Sequence, residues 1–359
     1  MSSLRELVGS AEVILCTGSG GVGKTTVAAV LAMEGARQGR RTAVVTIDPA
    51  KRLADALGLE GLTNEPGRIE GDWPGELYAL MLDTKSTFDD LVTKYAETPE
   101  QVERILENRF YKNISSALSA TQEFMAMEKL YELHVESDFD LVVVDTPPTR
   151  NALDFLDAPG TLTRFLDHPL YKVVMAPTRG IMRAAGFAAQ AFLRTVARVV
   201  GSEVIEDAIA FFQAFQGMEE GFRNRAHHVD ALLSDAVTQF VLVASPRRDT
   251  LEEAVFFAEA LSEADIAISA LIVNRMHPRF APSLAEAARE RAETLAGTAI
   301  GDHYANLADF QLIASREEDH LNGLVDKVGD AVVVRAPILR SDVHDLAGLD
   351  ELAAYVFAD

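Results

Sequence analysis

The stretch Gly18-Ser19-Gly20-Gly21-Val22-Gly23-Lys24-Thr25-Thr26 constrains this chain more than any other. From Gly18 to Thr25 it satisfies G-x-x-x-x-G-K-[ST], the spacing of a loop that wraps a polyphosphate. Its setting agrees. The apolar run Val13-Ile14-Leu15-Cys16 predicts a buried strand before it, and Val27 to Gly35 predicts a helix after it. Glycines let the backbone curl until successive N–H groups face inward. A helix opening near Gly23 adds the positive end of its dipole and its unpaired N–H groups. Lys24 is expected to reach the β- and γ-phosphates, and the Thr25 hydroxyl to sit on Mg2+. Gly20, Gly21, Val22, Gly23, Lys24, Thr25 and Thr26 are therefore the expected binding residues for a nucleoside triphosphate.

Beyond this loop, strand and helix signals alternate. Thr42 to Ile47 reads as a second strand, ending at Asp48-Pro49, and Ala50 to Gly58 as a short helix closed by glycine. Residues 60–76 read as a loop, and Leu77 to Leu82 as a strand. Phe139 to Val144 is a continuous apolar run of the kind found in parallel sheets. Further strands are expected at 240–244, 268–273 and 331–334, with helices at 250–264, 283–295 and from about Asp345. The segment 298–330 has no clear period and stays unassigned. This alternation predicts an α/β fold, a doubly wound and mostly parallel sheet with its ligand at the strand C-termini. Helical patterns at about 84–135 and 151–235 interrupt it. The expectation is one P-loop domain over 1–359 whose two helical insertions form a subdomain.

Two carboxylates end predicted strands. Asp145 is placed to reach Mg2+ directly or through water, so Thr25 and Asp145 are the expected metal residues. The following Thr146-Pro147-Pro148-Thr149 has restricted φ and two hydroxyls, which suits a stiff loop sensing the γ-phosphate. Asp48 is placed either to orient an attacking water or to cap the helix from Ala50, and local sequence leaves both open. Asp48 and Lys24 are the catalytic candidates.

Bulk properties narrow the partners. The formal charge is −22, a field that disfavours nucleic acid and anionic membrane surfaces. No run approaches the roughly 18 apolar residues of a membrane span, so stable insertion is not expected. The start, Met-Ser-Ser-Leu-Arg-Glu-Leu, lacks a basic flank followed by an apolar run, and a single cysteine fits a reducing cytoplasm.

Together, the P-loop, Thr46-Ile47-Asp48-Pro49-Ala50 and Asp145-Thr146-Pro147-Pro148-Thr149 resemble the ArsA-type ATPases. These are P-loop NTPases of the deviant Walker A class. They include arsenite-transporting ATPases and the eukaryotic ATPase that targets tail-anchored membrane proteins. Through Asp48 to Ala54 and Arg150 to Leu156, the chain is similar to actinobacterial-type members. The resemblance runs from about Val13 to the C-terminal helix. It implies ATP and Mg2+, makes Asp48 the switch I residue that polarises water, and makes Asp145 the switch II magnesium residue. It also implies that Asn274 reads the adenine and that Val334 to Pro337 forms the base-contacting loop. A dimer that closes on ATP is the implied working form.

Three departures qualify it. Family P-loops carry a lysine after the first glycine that crosses to the partner's phosphates; here that residue is Ser19. A homodimer lacking this charge would be slow, or another cation substitutes, or the chain pairs with a lysine-bearing paralogue as a regulatory half. Arsenite sites of the family need several cysteines, and Cys16 is alone. The same count removes the Cys-x-x-Cys zinc pair and the iron–sulfur-bridged relatives. An arsenite pump subunit and a partition-type positioning ATPase are argued against by cysteine count and charge respectively.

The helical insertion offers one more surface. Arg183, Gln190, Arg194 and Arg198 share a helix face opposite Ile181, Ala185, Ala188, Phe192, Val196 and Val199. Ile205, Ile209, Phe212, Phe215, Met218 and Phe222 line the next helix. These apolar faces read either as the core of the subdomain or as a groove for a hydrophobic helical client.

Overall fold

Val13 to Thr17 is buried along its whole length, as a strand covered by helices on both faces must be. It forms β1 (Val13–Thr17) of an eight-stranded sheet. The others are β2 (Arg41–Thr46), β3 (Gly67–Ile69), β4 (Glu76–Met81), β5 (Leu141–Asp145), β6 (Thr238–Ala244), β7 (Ile268–Met276) and β8 (Val332–Pro337). Their order is β3-β4-β2-β5-β1-β6-β7-β8. All neighbours are parallel except β3, which pairs antiparallel with β4. The computed structural model describes residues 3–48, 51–114, 119–147, 202–280 and 285–358, with isolated positions between 158 and 168. The α/β, mostly parallel architecture expected from the alternation is the one observed.

Register sets the site. Cys16 of β1 and Thr46 of β2 both lie level with Asp145 of β5. Three central strands thus end on one line, at the C-terminal edge where parallel sheets bind ligands.

The chain divides into two compact units: Met1–Met81, Asp138–Leu153 and Ala236–Asp359 form the first, and Leu82–Ser137 with Asp154–Asp235 form the second. In the first, α1 (Leu4–Ser10), α2 (Lys24–Arg37) and α3 (Arg52–Ala56) accompany the N-terminal strands. Val27 to Met33 of α2 are all fully buried. An Ala- and Val-rich helix with apolar residues all round belongs inside a fold, and α2 lies in the main core with Ile14, Val44, Leu141 and Val143.

The second unit contains α4 (Thr84–Tyr95), α5 (Pro99–Leu106), α6 (Arg109–Ile114), α7 (Ser119–Tyr131), a π turn (Glu132–Glu136), α8 (Ser202–Ala214) and α9 (Glu219–Leu233). Its core is aromatic. Phe211 stacks parallel on Tyr111 at 5.8 Å and meets Phe215 edge-on at 4.9 Å. Met218 and Phe222 are buried within this unit, so that part of the apolar face serves as core. Residues 179–200, with the Arg183, Arg194 and Arg198 stripe, lie outside the described residues.

Returning to the first unit, α10 (Arg248–Glu263), α11 (Ala285–Thr294), α12 (Ala299–Val328) and α13 (Leu346–Val356) complete it. Two segments differ from expectation. Residues 60–76 contain the short edge strand β3, too short and polar to show a period. The unassigned 298–330 is the thirty-residue helix α12, capped by Thr298 through the Gly301 amide. Its buried face is Gly301, Ala308, Gln311, Ala314, Leu321, Leu324 and Val328, while Phe310 and Ile313 are exposed. Over the first half of the helix, small and polar residues face inward while Phe310 and Ile313 face outward, which erases the hydrophobic period.

Candidate nucleotide site

The loop between β1 and α2 is held by backbone that only glycine tolerates. Gly18 has φ 146°, and a Cβ there would stand 2.1 Å from the Val243 carbonyl oxygen. Gly23 has φ 94° and directly precedes α2. It brings no capping side chain, so the helix N-terminus keeps donors for an anion. Val22 is fully buried and anchors the loop.

Lys24 opens α2 and is mostly buried; its Nζ donates to the Ser19 carbonyl at 2.9 Å. Burial lowers its proton affinity, against the favourable field of Asp145. Thr25 follows, and its hydroxyl donates to Asp145 Oδ2 at 2.7 Å. Thr26 is half-buried on the next turn position. The loop and the carboxylate singled out by the sequence therefore meet.

Asp145 is only 1% exposed. Its Oδ2 accepts from Thr25 and, at 2.9 Å, from Thr46. Its Oδ1 is buried with no hydrogen-bond partner. Burial raises this carboxyl's pKa, and the two hydroxyls and Lys24 pull it back. A buried carboxylate oxygen without a donor, beside a threonine hydroxyl, is an all-oxygen donor set suited to a hard divalent cation. The residues present thus fit Mg2+, with Thr25 and Asp145 as the side chains that would hold it. Thr146, next along, donates its hydroxyl and amide to the Cys16 carbonyl. Pro148 and Thr149 lie outside the described residues.

Asp48 follows β2 one residue after Ile47. Its amide donates to the Thr46 hydroxyl at 3.3 Å, and its carboxylate lies 3.4 Å from Arg52 Nη1. The helix after it begins at Arg52, and Lys51, not Asp48, occupies the cap position. Pro49 and Ala50 are outside the described residues.

On the other side of the loop, Asn274 near the end of β7 is buried. Its Nδ2 donates to the Val22 carbonyl at 3.0 Å and its Oδ1 accepts from the Arg275 amide at 2.9 Å. Each amide group keeps further capacity, one N–H and one lone pair. Pro337 ends β8 level with Met276, and Ile338 donates its amide to the Met276 carbonyl. Asn274 and Pro337 thus stand on adjacent strand ends of one edge.

Three residues here carried no sequence signal of their own. Thr46 reads as a β-branched strand former, yet its hydroxyl joins Asp145 to Asp48. Arg275 has φ 63°, uncommon for a non-glycine residue, and donates to the Gly21 carbonyl at 3.0 Å. Arg52 entered only as one position of the Asp48 to Ala54 stretch, with no role of its own. Ser19 is 1% exposed with an unpartnered Oγ. Cys16 is fully buried and its thiol is pushed up by that burial.

Comparison with known proteins agrees with this arrangement. The anion-transporting ATPase family matches residues 11–357. An arsenical pump-driving ATPase of Acidiphilium multivorum is 26% identical over 73% of this chain and 39% of its own. The ATPase GET3 of Malassezia globosa is 31% identical over 43% of this chain and 44% of its own. A putative arsenical pump-driving ATPase of Aquifex aeolicus is 21% identical over 97% of this chain and 79% of its own. The chain thus spans less than half the length of the first two relatives. The match runs through every strand of the sheet, and the chain belongs to the anion-transporting, ArsA-type ATPase family.

Proposed function

We propose that the chain hydrolyses ATP with Mg2+ as a dimeric, cytoplasmic switch. The observation that carries this reading is the Thr25–Asp145 pair, with the second Asp145 oxygen buried and unpartnered beside it. Glycine-shaped backbone and the α2 N-terminus would receive the phosphates, and Lys24 would leave the Ser19 carbonyl for the β- and γ-oxygens. Bound Mg2+ would offset charge on the phosphates. Asp48 would orient a water in line with the γ-phosphorus. The water oxygen bonds to phosphorus as the bond to the bridging oxygen breaks, giving ADP and phosphate, with the water proton passing through Asp48 to solvent. Asn274 and Pro337 would hold the adenine. Closure of two subunits on ATP would reshape the helical unit and, with it, a surface for a hydrophobic helical client.

The Asp48→Asn variant tests this directly. It should retain ATP binding and lose turnover by about 10² or more. Unchanged turnover would remove Asp48 from the mechanism.

Ser19 favours a second reading. An uncharged, buried residue at that point of the loop supplies nothing to a partner's phosphates. The chain would then be the ATP-binding regulatory half of a heterodimer with a lysine-bearing paralogue. Steady-state turnover of the purified chain, alone and then with the paralogue, separates the two readings. The arsenical pump-driving role named for relatives is not carried over, because the sequence's one cysteine is buried in β1.

A further inference from the structure

Phosphoryl transfer needs positive charge at the oxygens of the transferred group. Between Gly18 and Thr26 the loop offers one cationic side chain, Lys24. A second cation stands at the start of α3. Arg52 Nη1 is 3.4 Å from Asp48 Oδ2, while its side chain stays 62% exposed. Asp48 in turn is tied by its amide to Thr46, whose hydroxyl binds Asp145. The Arg52 charge also reaches Lys24, where it opposes the lysine's protonation. Lys24, Asp48, Arg52 and Asp145 therefore form one electrostatic cluster at the ends of β1, β2 and β5.

Resting on the ATPase reading above, we propose that Arg52 is a charge-stabilising residue of its own subunit's site. Without nucleotide it pairs with Asp48; as charge builds on the transferring phosphoryl group it turns onto those oxygens and releases the Asp48 carboxylate to its water. Arg52 forms no covalent bond and takes no proton. It neutralises charge while the water–phosphorus bond forms and the bridging bond breaks.

The bland alternative is a surface ion pair four residues apart. Two features speak against it. Asp48 lies before α3 rather than in it, so the pair does nothing for that helix. The contact is a long one, 3.4 Å, on an exposed guanidinium, the weak class of ion pair that a stronger anion displaces. A phosphoryl group offers that anion, and guanidinium binds it through two parallel charge-assisted bonds. Arg275, a second arginine at the loop among the described residues, is held by its Nη1 on the Gly21 carbonyl and by its amide on Asn274. Arg52 alone of the two is attached to the carboxylate that must be released.

The test compares the full chain with Arg52→Ala, Arg52→Lys and, as a control, Lys51→Ala. Lys51 occupies the cap position of α3 and lines a small cavity with Thr46, Leu53, Leu62 and Met81, and no step of the mechanism uses its charge. Readouts are kcat, KM, and equilibrium binding of a fluorescent ATP analogue and of ADP–aluminium fluoride. Arg52→Ala is expected to lower kcat by about 10³ and to weaken ADP–aluminium fluoride by a similar factor, with ATP affinity within about threefold of wild type. Arg52→Lys should fall between, because lysine keeps the charge without the fork. Lys51→Ala should match wild type. Mixing Arg52→Ala protein with Lys24→Ala protein should restore nothing if Arg52 serves its own subunit.

An Arg52→Ala protein with wild-type affinity for ADP–aluminium fluoride overturns the proposal, as does equal loss of affinity for both ligands. Recovery of turnover on mixing overturns the same-subunit assignment. An inert wild-type chain would defeat the ATPase reading instead, and the ADP–aluminium fluoride comparison would still decide the role of Arg52.

Discussion

Thr46 and Asp145 lie 99 positions apart and are joined by a 2.9 Å hydrogen bond from the threonine hydroxyl to Oδ2. The same hydroxyl accepts from the Asp48 amide. One side chain thus links the carboxylate proposed for magnesium to the backbone of the residue proposed for water. Thr46→Val keeps the β-branched shape and removes both bonds. It leaves Asp145 Oδ2 with Thr25 as its remaining donor and strips the Asp48 amide of an acceptor. We expect a loss of about 1–3 kcal/mol in stability, read by denaturant unfolding. We also expect kcat to fall more than ATP affinity, because the backbone that carries Asp48 loses an anchor. Equal losses in both would make Thr46 a strand residue and nothing more.

A second prediction concerns the helical unit. Glu128 is 1% exposed; its Oε2 accepts from Arg225 Nε and its Oε1 has no partner. Arg225 also pairs with Glu136 and lies over the Tyr131 ring, 4.1 Å from its centroid. Burial outweighs the arginine and pushes the Glu128 carboxyl up to about 7 from an ordinary 4.5. The sign follows from linkage. The folded state holds the proton where the unfolded state has lost it, so stability present below pH 4.5 is lost as pH rises through about 7. The loss is about 3 kcal/mol at most. Glu128→Gln mimics the protonated form and should flatten this part of the curve. Thermal unfolding of both proteins from pH 4.5 to 8 checks it; parallel curves would show that Glu128 is ionised throughout.

Much of this site was legible because its chemistry is local in sequence. The P-loop and the carboxylates after β2 and β5 each announce themselves by strand-end position, and parallel topology then brings strand ends together. What stayed hidden depends on contacts between distant segments. Thr46 looks like any β-branched residue until its hydroxyl is seen between two carboxylate-bearing strand ends. Arg275 gives no hint of its positive φ or of its bonds to the Asn274 side chain and the Gly21 carbonyl. The α12 helix was lost for a different reason: period-based reading assumes large apolar residues point inward, and up to Ala314 α12 buries Gly, Ala and Gln, with large apolar ones only from Leu321 on.

The last prediction separates two costs at one glycine. A Cβ on Gly23 would stand 2.3 Å from Asn274 Nδ2, and the residue would also carry φ 94°. Gly23→Ala therefore meets a collision and a backbone strain together. The strain alone costs about 1–3 kcal/mol. The collision is with the far end of a side chain, which Asn274→Ala removes. If both terms are present, the double variant should be more stable than the sum of the two single losses implies, with coupling of about 0.5–3 kcal/mol. The remaining deficit is the strain. Nucleotide affinity should not return with stability, because Asn274→Ala also removes the side chain proposed to hold the adenine. Denaturant unfolding gives the coupling, and titration with a fluorescent ATP analogue gives the affinity. Additive losses would show that the Asn274 side chain moves aside freely, and would leave strain as the whole reason for glycine at position 23.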